Sequence, residues 1–342
     1  MKQFNFAEDV VSTEITVTDG FGDGGVGILN GTSFTTSSLS AAQKNYYYNL
    51  QYNSKDHLSV SYGHIGGSGS AEQSTTLEGT TKAVYGQFYN LLENDRSKLK
   101  KNTGFIINSA TASGAYFIVA ERLQMKDRLN PGTWTLSFSG SNSAGVGTTL
   151  NLTDNSKTTD ATAAPFGERY SIQVGSAGTV TDTTEHGFFY PDAGIMVLGA
   201  TQMSASLPGA GGFVQSGSAY GLAQHNGFAP DHRVTEAADN AHKFASAVQR
   251  GSLTLRSEEK QFIYDYFCRA KANEFNYSQN LTFWSGSQYD IRHTDMISNP
   301  QVYITEVGLF DEAGELMAIG RLSSALEKNF SSEAIIKVRL TY

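Results

Sequence analysis

Short runs in which apolar and polar residues alternate, each closed by a glycine-rich turn, recur along the whole chain. No other feature constrains the fold as much. Leu58-Ser-Val-Ser-Tyr62 alternates and then runs into Gly63-His-Ile-Gly-Gly-Ser-Gly-Ser70. A two-residue period sends successive side chains to opposite faces of an extended strand, the pattern of a half-buried sheet. Residues 14–18 set Ile15 and Val17 among polar neighbours, and residues 44–52 bring Tyr46, Tyr47, Tyr48 and Tyr52 beside Leu50. Phe105-Ile-Ile107 and Ala115-Tyr-Phe-Ile-Val-Ala120 are too short and too rich in β-branched and aromatic residues for surface helices. Asn130-Pro-Gly132 reads as a turn before Trp134-Thr-Leu-Ser-Phe138 alternates again, and residues 188–194 read as a turn into a buried strand, Ile195-Met-Val-Leu198.

Residues 80–94 carry the best helical period: Val84, Phe88, Leu91 and Leu92 fall at i, i+4, i+7 and i+8 as one apolar stripe. Thr80 or Thr81 suits the cap, and Arg96, Lys98, Lys100 and Lys101 lie just past the end, where they complement the helix dipole. Residues 139–165 are rich in Gly, Ser, Thr, Asn and Asp, broken only by Leu150-Asn-Leu152, and read as a flexible loop or hairpin tip. Residues 204–250 are poor in large apolar side chains; such a segment fills no core and reads as an extended arm that orders against a neighbour.

The last part is the most regular. Phe262, Tyr264, Tyr266 and Cys268 alternate with Ile263, Asp265, Phe267 and Arg269 as in a strand, with a helix as the competing reading. Residues 302–310 and 316–322 flank Asp311-Glu-Ala-Gly314 and make a β-hairpin. Ile336, Val338, Leu340 and Tyr342 then face one way, with Lys337, Arg339 and Thr341 facing the other.

The expected fold is therefore mainly β, a β-rich α+β arrangement of antiparallel sheets. It has one main amphipathic helix near 80–94 and long Gly/Ser/Ala-rich loops or arms. The expected division is an N-terminal β-rich part with one helix (1–138), the loop or hairpin tip (139–165), a β segment (166–203), the arm (204–250) and a C-terminal β domain (251–342). The hairpin and terminal strand occupy 302–342 of that domain.

Composition narrows the function classes. With 25 basic against 33 acidic residues and no basic block, the electrostatic footprint of a nucleic-acid binder is missing. Charged residues make up 17% of the chain and aromatics 11%, which excludes a disordered polyelectrolyte and a coiled coil. The single cysteine, Cys268, excludes an intramolecular disulfide framework and reads as a buried, inert thiol. No apolar run reaches the about 18 residues of a spanning helix, and residues 1–10 lack the apolar stretch of a signal peptide. Synthesis in a cytoplasm without membrane insertion is the expectation.

Candidate chemistry is sparse. Gly20-Phe-Gly-Asp-Gly-Gly25 fits G-x-G-x-x-G after a strand, but no helical pattern follows to aim its amides at a pyrophosphate, so it reads as a loop. The seven histidines show no metal-ligand spacing; His225 and His232 share a Gly/Ala-rich stretch with Asp231. Gly66-Gly-Ser-Gly-Ser70 lacks the frame of a nucleophile elbow, and Glu121, Asp127 and Glu168 form no recognisable acid–base pair. Trp134 and Trp284 lie near predicted strands and read as core residues. The sequence points to no catalytic, cofactor-binding or metal residues and to no cofactor. Low charge, abundant aromatics and small-residue arms instead suit a protein that completes its core by assembly, since interface cores favour rings and exclude charge.

The stretch Val302-Tyr-Ile-Thr-Glu-Val-Gly-Leu-Phe-Asp-Glu-Ala-Gly-Glu-Leu-Met-Ala-Ile-Gly-Arg-Leu-Ser323 resembles a module recurrent in tailed-phage structural proteins. Its core is a strand of the type I-T-x-V/I-G-L-F/Y, a short acidic or Asn turn, and L-x-A-I/V-G. Further blocks run from Ser61-Tyr-Gly-His64 and Ala83-Val-Tyr-Gly-Gln-Phe-Tyr-Asn-Leu-Leu92 through Phe189-Tyr-Pro-Asp-Ala-Gly194 to Tyr266-Phe-Cys-Arg269, Glu274-Phe-Asn-Tyr-Ser278 and Lys328-Asn-Phe330. Together they resemble virion structural, baseplate-type proteins of T4-like contractile-tailed phages, notably those of cyanobacterial and marine hosts. The resemblance implies a non-enzymatic component of the tail, in the baseplate wedge or its periphery, that links tail parts and fibres. Its implied partners are other tail or baseplate subunits and tail fibres, in homo- and hetero-oligomers, and its implied location is the virion. The neighbouring readings are a tail-fibre, receptor-binding or fibre-docking protein and a neck completion protein. On this view the pairing surfaces are Tyr303, Thr305, Val307, Leu309 and Phe310 on the hairpin, with Ile336, Val338, Leu340 and Tyr342 on the terminal strand.

Overall fold

A computed structural model describes residues 4–21, 28–30, 35–36, 47–67, 81–93, 104–141, 147–207, 239–286 and 290–342. Strand accounts for 55% and helix for 14%, so the protein is mainly β and its sheets are antiparallel, as the alternation predicts. Contacts divide the chain into two units, Val17–Glu259 and the pair of segments Met1–Thr16 and Lys260–Tyr342. Met1–Thr16 thus groups with the C-terminal strands rather than with the expected 1–138 part.

The Val17–Glu259 unit is organised by a curled 12-stranded sheet. From one end its strands run Ile28–Asn30, Ser252–Thr254, Thr135–Ser141, Gly147–Asp154, Gly167–Ser176 and Thr179–Tyr190. They continue through Ile195–Gly199, Gly114–Ala120, Lys55–His64 and Tyr47–Tyr52 to Thr35–Thr36, with Thr162–Ala164 paired beside Gly167–Ser176. The central strands Gly114–Ala120 and Ile195–Gly199 are buried on both faces, which is why they read as continuous apolar runs. Tyr62, Tyr116, Ile118, Met196 and Leu198 join one core, and Ala115, Phe117, Ile195 and Val197 join another.

A helix closes each core. Thr81–Leu92 forms as the period predicts, but it buries Thr81, Tyr85, Tyr89 and Leu92, while Leu91 is 42% exposed and Val84 and Phe88 are only partly covered. The stripe is rotated because the tyrosines bury best. The Tyr85 hydroxyl donates to the Ala112 carbonyl at 2.7 Å and accepts from the Phe105 amide at 2.8 Å, so burial leaves no polar atom orphaned. Gly63 admits this helix: a Cβ there would lie 2.7 Å from the Tyr85 backbone nitrogen. The expected caps at Thr80 and the basic residues 96–101 lie outside the described residues.

The second helix, Asp239–Arg250, corrects the expectation of an arm over 204–250. Ala241, Phe244, Ala245 and Val248 fall at i, i+3, i+4 and i+7 and are buried, and the Phe244 ring stacks on Tyr116 with centroids 4.6 Å apart. Small residues here let one large ring approach the sheet closely. Ala200–Ser206 is also helical, and 208–238 lies outside the described residues. Of the two readings of 139–165 as a flexible loop or hairpin tip, the strands Gly147–Asp154 and Thr162–Ala164 among the described residues accord with a hairpin rather than a loop. Phe138 pairs with Leu150 and Leu136 with Leu152, antiparallel, and 142–146 lie outside the described residues. Residues 188–190 end a strand, and only 191–194 form the predicted turn.

In the other unit the strand reading of 262–269 holds: Tyr264 pairs with Leu340, Tyr266 with Val338 and Cys268 with Ile336. Ala334–Thr341 is the outer strand of this sheet. Asp265 ties the pair together, accepting from Arg339 at 2.8 Å and Lys337 at 2.7 Å, and those hydrogen bonds hold its carboxyl well below the usual carboxylate range. Burial pushes the Cys268 thiol up, in keeping with an inert role. Val302–Phe310 and Leu316–Lys328 form the predicted hairpin, the second strand extending beyond the expected 322. Its turn is locked by Glu315 N–H donating to the Asp311 carboxylate at 2.7 Å and by Gly314 at φ +85°.

Candidate interaction surface

The hairpin is not the uniform face that a two-residue period implies. Between the pairs Ile304–Leu326 and Glu306–Arg321 the second strand carries three more residues than the first, and the alternation of the first strand changes sides across this shift. Tyr303 and Thr305 are exposed before the shift, whereas Val307 is half-buried and Leu309 only 7% exposed after it. Ile336, Val338 and Leu340 are also half-buried; a Cβ at Gly320 would touch Val338 at 3.6 Å, so the hairpin lies against that strand face. The nine expected residues therefore divide. Val307, Leu309, Ile336, Val338 and Leu340 build the inside of this unit, and Tyr303, Thr305, Phe310 and Tyr342 face outward.

The outward face holds residues that the alternation of the first strand alone does not indicate. Met317 is 70% exposed and Ile319 53%, and Ile319 pairs with Gly308. Phe310 and Leu316 fold over Gly308, where a Cβ would meet the Phe310 ring at 2.9 Å and Leu316 Cδ1 at 3.1 Å. The bare backbone at Gly308 lets these side chains gather into an exposed apolar patch. Exposed Asp311, Glu312 and Glu315 border it at the turn. Ile335 and Tyr342 add apolar surface on the outer strand, whose other edge has no strand paired to it among the described residues. Contiguous exposed apolar area and an open edge are what protein–protein contacts use.

This unit contrasts with a true core. Among the described residues its buried hydrophobics are Ala270, Leu309 and Ala334, beside buried Asp265, Asn276 and Lys328. Lys328 is fully buried with its ammonium donating to the Ala272 carbonyl (3.0 Å), Asn276 Oδ1 (2.7 Å) and the Asn329 carbonyl (2.9 Å). All three protons are used, so the amine staples the hairpin's end to the 271–276 turn.

Other chemistry-bearing groups are held by structure. His186 is buried, its Nδ1–H donates to the Thr184 carbonyl at 3.0 Å, and its Nε2 accepts from the Ser206 hydroxyl at 2.7 Å. Burial lowers its pKa, so the ring is neutral. The pair has nucleophile–base spacing, yet no carboxylate orients Nδ1 and the ring is shut away from solvent; the bond pins Ala200–Ser206 to its neighbouring strand. Arg128 pairs with Glu258, Glu168 and Asp192, which gives Glu168 a structural partner. Among the described residues no cluster of His, Cys, Asp and Glu fits a metal ion, and no helix is long and apolar enough to cross a membrane. The His225, Asp231 and His232 group and most of the glycine motif 20–25 lie outside the described residues. The core reading holds for Trp134, at 0% exposure, and fails for Trp284, which lines an open cavity of about 300 Å³. No family model, curated protein or solved structure matches the chain.

Proposed function

We propose that this protein is a non-enzymatic structural component of a contractile phage tail, in the baseplate wedge or at its periphery, where it links tail parts and fibres. The observation that carries the assembly part of this reading is the unit built from Met1–Thr16 and Lys260–Tyr342. It displays Tyr303, Phe310, Leu316, Met317, Ile319 and Tyr342 on its surface, and among the described residues its buried hydrophobics are Ala270, Leu309 and Ala334 alone. A monomeric protein rarely leaves so much apolar strand surface in water. The motif resemblance of 302–323 supports the tail assignment, and the low charge suits an interface.

Hydrogen exchange on the purified chain and on the same chain within purified phage particles tests the reading. Amides of Val302–Phe310, Leu316–Lys328 and Ala334–Thr341 are expected to exchange faster in the free chain and to gain protection in particles. Absence of the chain from purified particles would refute the tail assignment. Presence without added protection would refute the hairpin as the docking face.

A further inference from the structure

We propose that this protein assembles head to tail through its own sheet, the edge of Ala334–Thr341 in one copy pairing with the edge of Val10–Gly20 in the next. The proposal rests on the reading of the C-terminal unit as an assembly face and names both the surface and its occupant, a second copy of this chain. The sheet is ordered Val10–Gly20, Arg256–Ala270, Ala334–Thr341, so among the described residues each outer strand is paired on one side only.

The backbone of Ala334–Thr341 is set for a further strand. Phe262 and Tyr342 exchange both backbone hydrogen bonds, at 3.2 and 3.0 Å. Antiparallel strands alternate such pairs with pairs whose N–H and C=O groups point away from each other. The register runs without a break from Ala270–Ala334 to Ile263–Thr341, so Ile335, Lys337, Arg339 and Thr341 aim their backbone groups out of the sheet's edge. No proline or glycine interrupts the strand. Edge lysines ordinarily guard an edge, but Lys337 and Arg339 lean back onto Asp265 of the inner strand, at 2.7 and 2.8 Å. At the opposite side, Val10–Gly20 runs 11 residues, about twice the usual strand, with Val11 and Ile15 exposed on it.

Charge selects the occupant. Residues 8–16 carry Glu8, Asp9 and Glu14 and no basic residue, whereas residues 334–342 carry Lys337 and Arg339 and no acidic one. The inner strand moderates both edges and cancels neither. Lys260 meets Glu14 at 2.8 Å and Arg269 meets Asp9 at 3.1 Å, with Glu8 in addition, while at the other edge two cations share the one carboxylate of Asp265. Two copies joined through the same edge would set cations against cations or acids against acids, which opposed strands disfavour. Unlike edges set acids against bases. Such a contact is heterologous and propagates, into a ring where the rotation closes and into a fibre where it does not.

The test is sedimentation of the full chain over a concentration series, alone and mixed with an edge-blocked variant. Ile335→Pro removes an outward N–H and leaves the inward ladder intact, and Thr341→Pro does the same at the strand's end. The parent is expected to self-associate, less as salt rises, and each variant to lose self-association on the order of tenfold or more. Either variant keeps its acidic edge, so labelled Ile335→Pro mixed with parent should still join parent chains as a terminal subunit. Three outcomes would overturn the proposal: a parent that stays monomeric, folded variants that self-associate like the parent, or a variant that joins neither itself nor the parent, the mark of symmetric pairing through Ala334–Thr341. A monomeric parent whose hairpin amides still gain protection in particles would remove head-to-tail pairing and leave the docking face standing. Self-association of this kind in a chain missing from particles would do the reverse, removing the tail assignment alone.

Discussion

In the Val17–Glu259 unit the rings of Tyr85, Phe117, Trp134, Phe189 and Phe244 are sealed from water, whereas among the described residues of the C-terminal unit no aromatic ring is fully buried. Both regions are written in the same alternating pattern. What differs is the third layer. The larger unit lays Thr81–Leu92 on one core and Asp239–Arg250 on the other, so central strands are covered twice. Among the described residues, the C-terminal sheet has its hairpin against one face, and the hairpin's own outer face carries exposed Met317 and Ile319. Identical strand patterns thus yield a core in one place and a docking face in the other, because burial is decided by what packs on a strand and not by the strand itself.

The contrast can be broken most directly at Phe244. Phe244→Ala is expected to cost about 3–5 kcal/mol, read as a lower urea midpoint at unchanged slope. A loss near zero would mean that Asp239–Arg250 does not close a core. Next comes Lys328→Met, which strands Asn276 Oδ1 and two carbonyls and should cost about 1–3 kcal/mol. Hydrogen exchange should quicken at 271–276 and 328–329 while Gly114–Ala120 keeps its protection. Equal loosening in both places would show that the two units unfold as one.

Acid sharpens the comparison from the other side. Burial lowers the His186 pKa, so the unfolded chain takes up that proton first as pH falls. The stability this neutral ring contributes is present above the ordinary histidine value and is lost as pH drops from about 6.5 through the folded value, at no more than about 1.4 kcal/mol per pH unit. His186→Asn should flatten that slope in a pH series of urea melts. Asp265 behaves in the same direction but later: its contribution is present above the ordinary aspartate range and lost only in stronger acid. The C-terminal strand pair should therefore outlast the histidine step, as exchange measured at successive pH values would show.

The smallest effect is the most telling. Met317→Ser and Ile319→Thr should leave the free chain within about 0.5 kcal/mol of the parent, since both side chains already face water. The same pair should exclude the chain from assembled particles in a complementation assay. A loss of about 2 kcal/mol in the free chain would show that this face is packed, and the contrast between the units would disappear.

Much of this was legible in the residues. The alternation at 58–62, 262–269 and 335–342 located strands, and Asp311-Glu-Ala-Gly314 located a hairpin with the correct turn, because strand period and turn chemistry are local properties. The arm expected at 204–250 failed over Asp239–Arg250 since Ala241, Ala245 and Val248 look too small to hold a core, yet smallness is what brings the Phe244 ring onto Tyr116. The helix stripe was misplaced by one face because tyrosine counts as half-polar until Tyr85 finds Phe105 and Ala112. Trp284 was expected in a core because nearness to a strand says nothing about which side of it is covered.

Chain-local rules were thus enough for the fold class, the antiparallel pairing and the position of the hairpin, since each depends on neighbours a few residues apart. The division between inside and outside came from contacts distant in sequence. One register shift at Ile304–Glu306 turns Val307 and Leu309 inward and leaves Tyr303 and Thr305 in solvent. Asp265 reaches across to Arg339, and Lys328 reaches back to Ala272 and Asn276. A strand's period names two faces, and only the layer that arrives from elsewhere in the chain chooses which one is buried.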